Sequence, residues 1–408
     1  MKNRLYGLFV FFIAVSFAAP VFATNGMRMI GFGPVQRSMG GTSVGVSLDA
    51  ASVLSNPAGM SELGGRIDFG ASYFMPTVEY NATGAAPGVV NQNGATIESD
   101  RGASPIPAFG LIIPINDQLK FGLGAYGVAG MGVDYAMNLY SNVTYSSYSQ
   151  MRFAPGVAYK VNDMVSIGAV ANLMYATMEF NAGNPPTALP AQYPQQAHMG
   201  ASSFGYGATL GVKVTPVDIL TIGAAYETKS YFQDFEFNTA VGKDKLEFNQ
   251  PSSATIGVGF TLVPGLILAF DLQWIRWSET NGKDNPEFTA NGSGALPWNL
   301  NWEDQYVYKF GIQYTITPMF IVRAGYNYGK MPLDSDRAFE NMAFPAIAEH
   351  HYTAGVGIKF SEKFTLNIGG MYSPEATLSG SNAAGQYITA YETKMSQYSI
   401  DVGISYVF

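Results

Sequence analysis

Three histidines, His198, His350 and His351, are the only side chains in the 408 residues whose ordinary pKa suits proton transfer near neutrality. A serine hydrolase would hold one of them in hydrogen-bonding reach of a serine and of an acid or amide. Two of the three stand side by side at a loop end, and none stands beside a Gly-x-Ser-x-Gly elbow. Asp334-Ser335-Asp336 offers two carboxylates to Ca²⁺, short of the roughly six to eight oxygens that this cation takes. Gly122-x-Gly124-x-x-Gly127 formally matches a dinucleotide fingerprint, but no helix follows to aim its N-terminus at a pyrophosphate. The chain has no cysteine, so neither disulfides nor thiolate metal sites are available. These residues argue against an enzyme and call for no cofactor and no metal. The elements that carry them must therefore serve binding or passage.

The chain opens Met1-Lys2-Asn3-Arg4, continues as an apolar run broken at Pro20, and reaches Val21-Phe22-Ala23, where small residues mark a signal-peptidase site. Residues 1–23 read as a cleaved export signal, because the apolar core is shorter than the roughly 20 residues that span a bilayer. Removing them takes away Lys2 and Arg4, so 22 bases against 30 acids becomes 20 against 30, a net charge of −10. That balance argues against nucleic acid as a partner. Glycine (46) and the aromatics Phe (27) and Tyr (25) are enriched together, whereas charged residues make up only 13%. No later segment approaches 18 uninterrupted apolar residues, which excludes a helical membrane protein.

The period of the chain is two. In the terminal "YSIDVGISYVF", Tyr398, Ile400, Val402, Ile404, Tyr406 and Phe408 alternate with Ser399, Asp401, Gly403 and Ser405. The same alternation recurs about fourteen times, joined by short turns such as Asn116-Asp117, Asn162-Asp163 and Thr317-Pro318 on one side. Longer loops around 81–105, 136–147, 181–202, 238–251, 281–300, 333–349 and 380–390 lie on the other. A sheet crosses hydrocarbon only if it closes on itself. The expected fold is therefore an all-β, 14-stranded antiparallel transmembrane barrel with its apolar register outward. Lys213, Asp271, Gln273, Lys309, Gln313, Arg323, Asn327, Lys359 and Asp401 fall in the inward register.

Residues 24–65 do not alternate. They are glycine-rich, with one short helix expected from about Leu48 to Leu54, capped by Ser47 or Asp49, stopped by Pro57 and followed by a turn at Gly59. Forty compact residues ahead of the first strand suit the lumen of a barrel this wide. The expected division is a signal at 1–23, a plug or hatch at 24–65 and a barrel at 66–408. In the third strand, Gly122, Gly124, Gly127, Gly130 and Gly132 either let the strand bend from its neighbour or make room for the plug.

The segments "GFG", "SMGG", "SLDAASVLSNPAG" and "YKFGIQYTITPMFIVRAGYNYGKMP", with the terminal Phe408, resemble the FadL/TodX family of long-chain fatty acid and hydrocarbon transporters of Gram-negative outer membranes. The resemblance implies passive uptake: a hydrophobic ligand is captured outside, held within the barrel, and released sideways beside a kinked third strand. Asn56, Pro57 and Ala58 match the family's NPA motif, which contacts that kink, and Gly59 completes the gate. A ligand carboxylate would need a lumen cation; Arg152 and Lys309, placed near mid-barrel, are the first candidates and Arg323 the next. An uncharged hydrocarbon would need none, and Leu139 and Leu189 would line its outer groove. A general porin and an outer-membrane lipase are the rival readings. The expected partners are a hydrophobic small molecule, outer-membrane lipids and, through Phe408, the barrel assembly machinery, around a monomer.

Overall fold

The computed structural model describes residues 25–83, 94–138, 143–182, 197–239, 242–282, 287–290, 294–297, 300–338, 341–380 and 390–408. Among them, fourteen strands run as an antiparallel meander: β1 (Arg66–Thr83), β2 (Ser104–Pro114), β3 (Leu119–Asn138), β4 (Val143–Lys160), β5 (Val165–Ala182), β6 (Ala197–Val217), β7 (Leu220–Glu227), β8 (Ser253–Val263), β9 (Leu266–Ile275), β10 (Gln305–Thr315), β11 (Phe320–Gly329), β12 (His350–Lys359), β13 (Phe364–Gly380) and β14 (Ala390–Val407). The ladder from Arg66↔Val407 to Thr83↔Ala390 joins β1 to β14 and closes the barrel. Closure leaves no free sheet edge around that seam.

The alternation places the faces as expected. On β10, Tyr306, Tyr308, Phe310 and Tyr314 are exposed, whereas Gln305, Val307, Lys309 and Gln313 between them are buried. Lys213, Asp271, Arg323, Asn327 and Asp401 are likewise buried in the lumen. Lys359, at the turn end of β12, is exposed at the rim instead. The short turns form for a local reason: the Asn116 side-chain oxygen accepts from the N–H groups of Gln118 and Leu119, and Asn162 repeats the arrangement with Met164 and Val165.

The opposite rim departs from expectation. Strands β3 and β4 extend through most of the presumed loop at 136–147, since β3 reaches Asn138 and β4 begins at Val143. Strands β3 to β6, β13, β14 and β1 form a tall wall, and β7 to β12 a low one. Across the low side the connections fold inward, and Phe235–Thr239, Gly242–Leu246, Glu287–Ala290 and Gly294–Pro297 pair into a small four-stranded sheet. Phe235, Phe237, Phe248, Trp277, Trp302 and Phe344 from these connections are buried against Tyr80, Tyr135, Tyr148, Met174, Met178 and Met395 of the tall wall. The upper lumen is thus apolar on its inward register, where a water-filled channel would be polar.

The plug occupies the lower lumen. It contains two short helices, α1 (Gly33–Ser38) and α2 (Ser52–Ser55), and a 3₁₀ turn at Pro57–Glu62. The single helix expected over Leu48–Leu54 is therefore shorter and later, and α1 was not anticipated. Neither Ser47 nor Asp49 caps α2 through its side chain; the residue before it is Ala51. Ser47 instead accepts from the Lys213 ammonium of β6 at 3.1 Å. Pro57 both ends α2 and opens the 3₁₀ turn, where a missing N–H leaves no donor unsatisfied. Gly59 sits inside that turn and supplies close approach rather than a bend, since a Cβ there would lie 2.0 Å from the Ser47 hydroxyl.

Candidate functional site

Two regions meet where the plug touches the barrel wall: a window in the wall beside β3 and a polar cavity behind it. Strand β2 pairs with β3 only from Pro114↔Lys120 to Ala108↔Tyr126. Beyond Tyr126, β3 keeps its ladder with β4, but that ladder slips between Gly127 and Ala129, which leaves Val128 as a bulge. On the β2 side, the plug backbone supplies the contacts: Met29 N–H donates to Val128 C=O at 3.1 Å, and Gly130 N–H donates to Met27 C=O at 3.0 Å. Farther up, Asp100 N–H donates to Asp134 C=O at 2.7 Å. In the gap between Tyr126 and Asp134, residues 27–29 of the plug thus take the place of β2 along Val128–Gly130.

The five glycines of β3 divide the work. A Cβ at Gly122 would strike Met60, and one at Gly124 would strike Leu54 and Val53, so these two make room for the plug. Gly127 and Gly130 flank the bulge, and Gly132 packs tightly on the Ser146 carbonyl of β4. The NPA stretch lies elsewhere than the resemblance implied. Asn56 donates from its side chain to Val44 C=O at 2.9 Å and to Val212 C=O at 3.2 Å, and its own side-chain oxygen accepts from Ala58 N–H at 3.2 Å. Cβ atoms at Gly168 and Gly211 would lie 2.5 Å from Ala58 N and 2.1 Å from the Asn56 side-chain oxygen. Asn56, Pro57 and Ala58 therefore dock on β5 and β6, and Met60, later in the same turn, is what reaches β3.

Behind the window is a cavity of about 60 Å³, lined among others by Arg28, Gln150, Arg152, Glu227, Gln250 and Lys309. That is room for about two waters. Arg152 of β4 is already paired, with Glu227 of β7 at 2.5 Å, and Arg28 of the plug shares the same carboxylate at 2.9 Å. Arg28 also donates to Ser253 Oγ at 3.1 Å and Pro251 C=O at 2.9 Å. Lys309 faces Asp271 in register, but Asp271 accepts from the backbone N–H groups of Ser43, Val44 and Gly45, and Lys309 donates to Ile30 C=O at 3.4 Å. Arg323 lies away from this cavity and donates to Gln313 and Asn367. Leu139 and Leu189 lie outside the described residues.

Arg28 and Glu227 were not singled out from the sequence. Glu227 was legible, for it continues the inward register of Gly223 and Ala225 opposite exposed Tyr226. Arg28 lies in the non-alternating segment, where no periodicity says which way a side chain faces. At the base of the plug, burial, and then the neighbouring Asp68, push the Asp49 carboxyl up to about 7. Gly41-Thr42-Ser43-Val44-Gly45 does match the serine-elbow pattern by spacing; Ser43 is buried in the plug, donates to Gly41 C=O at 3.4 Å, and has no histidine among its described partners.

The model for outer membrane protein transport proteins (OMPP1/FadL/TodX) matches residues 10–408. The chain belongs to this family. Among solved structures, the toluene transporter TodX of Pseudomonas putida superposes with a TM-score of 0.74 at 19% identity, over 93% of this chain and 99% of that one. A FadL homologue of Pseudomonas aeruginosa gives 0.75 at 17%, over 94% and 100%. The toluene transporter TbuX of Ralstonia pickettii gives 0.68 at 20%, over 93% and 99%. No curated protein sequence matches the chain. This FadL/TodX-family protein is an outer-membrane β-barrel of a Gram-negative bacterium, a transport channel for hydrophobic compounds.

Proposed function

We propose that this channel takes up long-chain fatty acids or small hydrocarbons passively and releases them sideways into the outer membrane through the window between β2 and β3. The carrying observation is the wall itself, where plug residues 27–29 replace β2 along Val128–Gly130 of β3. The short turns face the periplasm in such barrels. Gly127 stands eight residues above the β2–β3 turn, about 20 Å at the usual rise and tilt, so the window faces the outer leaflet. The apolar upper lumen, rich in methionine and aromatic side chains, would carry the ligand down to it.

The cavity of about 60 Å³ is too small for any such ligand, so the plug must rearrange before one enters. Arg28, Arg152 and Lys309 against the single Glu227 leave the lining net positive, which supports a ligand with an acidic head. Residues 1–23 are proposed as the export signal, 24–65 as the hatch with Asn56, Pro57, Ala58 and Gly59 as its anchor on the wall, and 66–408 as the barrel. The chain is proposed to act as a monomer, held by outer-membrane lipids and assembled through Phe408. In cells with equal amounts of barrel in the outer membrane, Gly127→Trp should reduce uptake of oleate and toluene by about ten-fold or more. Uptake equal to that of the parent would contradict lateral release.

A further inference from the structure

The edge of β2 that borders the window reads Ser104-Pro105-Ile106-Pro107-Ala108. A proline inside a strand removes a ladder donor and is tolerated where that donor would face no partner strand. Which side loses its donors here follows from the turn. Ile115 N–H donates to Leu119 C=O across the β2–β3 connection at 2.9 Å. Backbone groups alternate sides along a strand, so the odd-numbered residues of β2 aim their N–H and C=O at β3. The register with β1 runs unbroken from Arg66↔Ile112 to Phe74↔Ser104, so the parity holds as far as Pro105. Pro107 and Pro105 are therefore two successive positions aimed into the window, and both lack a donor. The positions aimed at β1, namely Ser104, Ile106 and Ala108, keep theirs. Pairing with β3 ends at Ala108↔Tyr126, immediately before Pro107.

The opposite edge shows what those donors would do. Val128 C=O faces the window and accepts from Met29 of the plug. With N–H groups at positions 107 and 105, β2 could extend its ladder along β3 from Gly127 upward and there compete with the plug for that carbonyl. We propose that Pro105 and Pro107 are positioning residues that keep β2 from zipping onto β3, so that the wall at this point is closed by a removable plug segment and not by a strand. The proposal rests on the lateral-release reading, because a window matters only if ligand uses it.

The test compares the parent, Pro105→Val/Pro107→Val, Pro107→Ala and Gly127→Trp, each confirmed as a folded barrel by heat-dependent gel mobility. Two quantities are read: hydrogen exchange at the new amide of residue 107, and uptake of oleate and toluene by cells. The expected result is a slowly exchanging amide at 107 in the double valine variant with uptake lowered roughly ten-fold, and a smaller loss in Pro107→Ala. A rapidly exchanging amide with parental uptake, while Gly127→Trp still blocks, would overturn the role of the prolines and leave lateral release standing. A protected amide with parental uptake, and parental uptake in Gly127→Trp, would instead remove lateral release itself and with it this proposal.

Discussion

At the residue scale, the telling group is Glu227, a carboxylate 12% exposed and shared by a plug cation, Arg28, and a wall cation, Arg152. Removing its charge leaves two guanidiniums facing each other in a closed cavity, a loss of about 3 kcal/mol for a buried pair broken on one side. Glu227→Gln should therefore loosen residues 27–29 and speed hydrogen exchange at Gly130, whose N–H is held by Met27. Unchanged exchange there would separate Arg28 from the hold on the window. Asp49 makes a second prediction. It is buried among Asp68 and Arg66 of β1, Arg323 of β11, Tyr126 of β3 and Gln36 of α1, and burial raises its pKa from 3.8 to about 7. The folded plug thus keeps a proton that the unfolded chain has lost. Its contribution to stability is complete below the ordinary carboxylate range and declines as pH rises to about 7. Denaturant midpoints should fall between about pH 4 and pH 7, and Asp49→Asn should flatten that dependence. Arg152 and Lys309 could be placed from alternation alone. Arg28, Asp49 and the pairing of Glu227 could not, since they depend on how a non-periodic segment of some forty residues coils.

At the element scale, the strands and short turns were legible because each has a local cause: period-two apolarity for the strands, and asparagine side chains closing the turns. The height of β3 and β4 was not, because their upper halves turn buried apolar side chains such as Val133, Tyr135 and Tyr148 toward folded loops, and inward and outward faces then look alike in sequence. The docking of Asn56–Ala58 was misplaced for a related reason. Its floor is made of Gly168 on β5 and Gly211 on β6, and a glycine in a strand does not announce what approaches it. Gly168→Val is predicted to push the 3₁₀ turn off the wall, because its Cβ would meet Ala58 N at 2.5 Å. The barrel should still assemble while plug residues become accessible to protease. A plug as resistant as that of the parent would contradict the contact.

At the scale of the whole molecule, the wall closes on itself, the plug packs in the lower lumen, and apolar connections are buried against the tall wall above it. Single barrels in a planar bilayer should therefore show little steady conductance, in contrast to a porin; a large constant conductance in the parent would favour that rival reading. The central claim is that residues 27–29 must leave the window for ligand to pass. The chain's lack of cysteine permits a clean lock. Arg28 and Ala129 stand directly opposite each other in an antiparallel bridge flanked by the Met29–Val128 and Gly130–Met27 backbone hydrogen bonds, so Arg28→Cys/Ala129→Cys would tie the plug to β3 by a disulfide. The decisive measurement is the uptake of oleate and toluene by cells carrying this pair, before and after reduction. The account predicts uptake near background while the bond is closed and recovery once it is reduced; equal, parental uptake in both states, with the disulfide shown by mass to be complete, would contradict it.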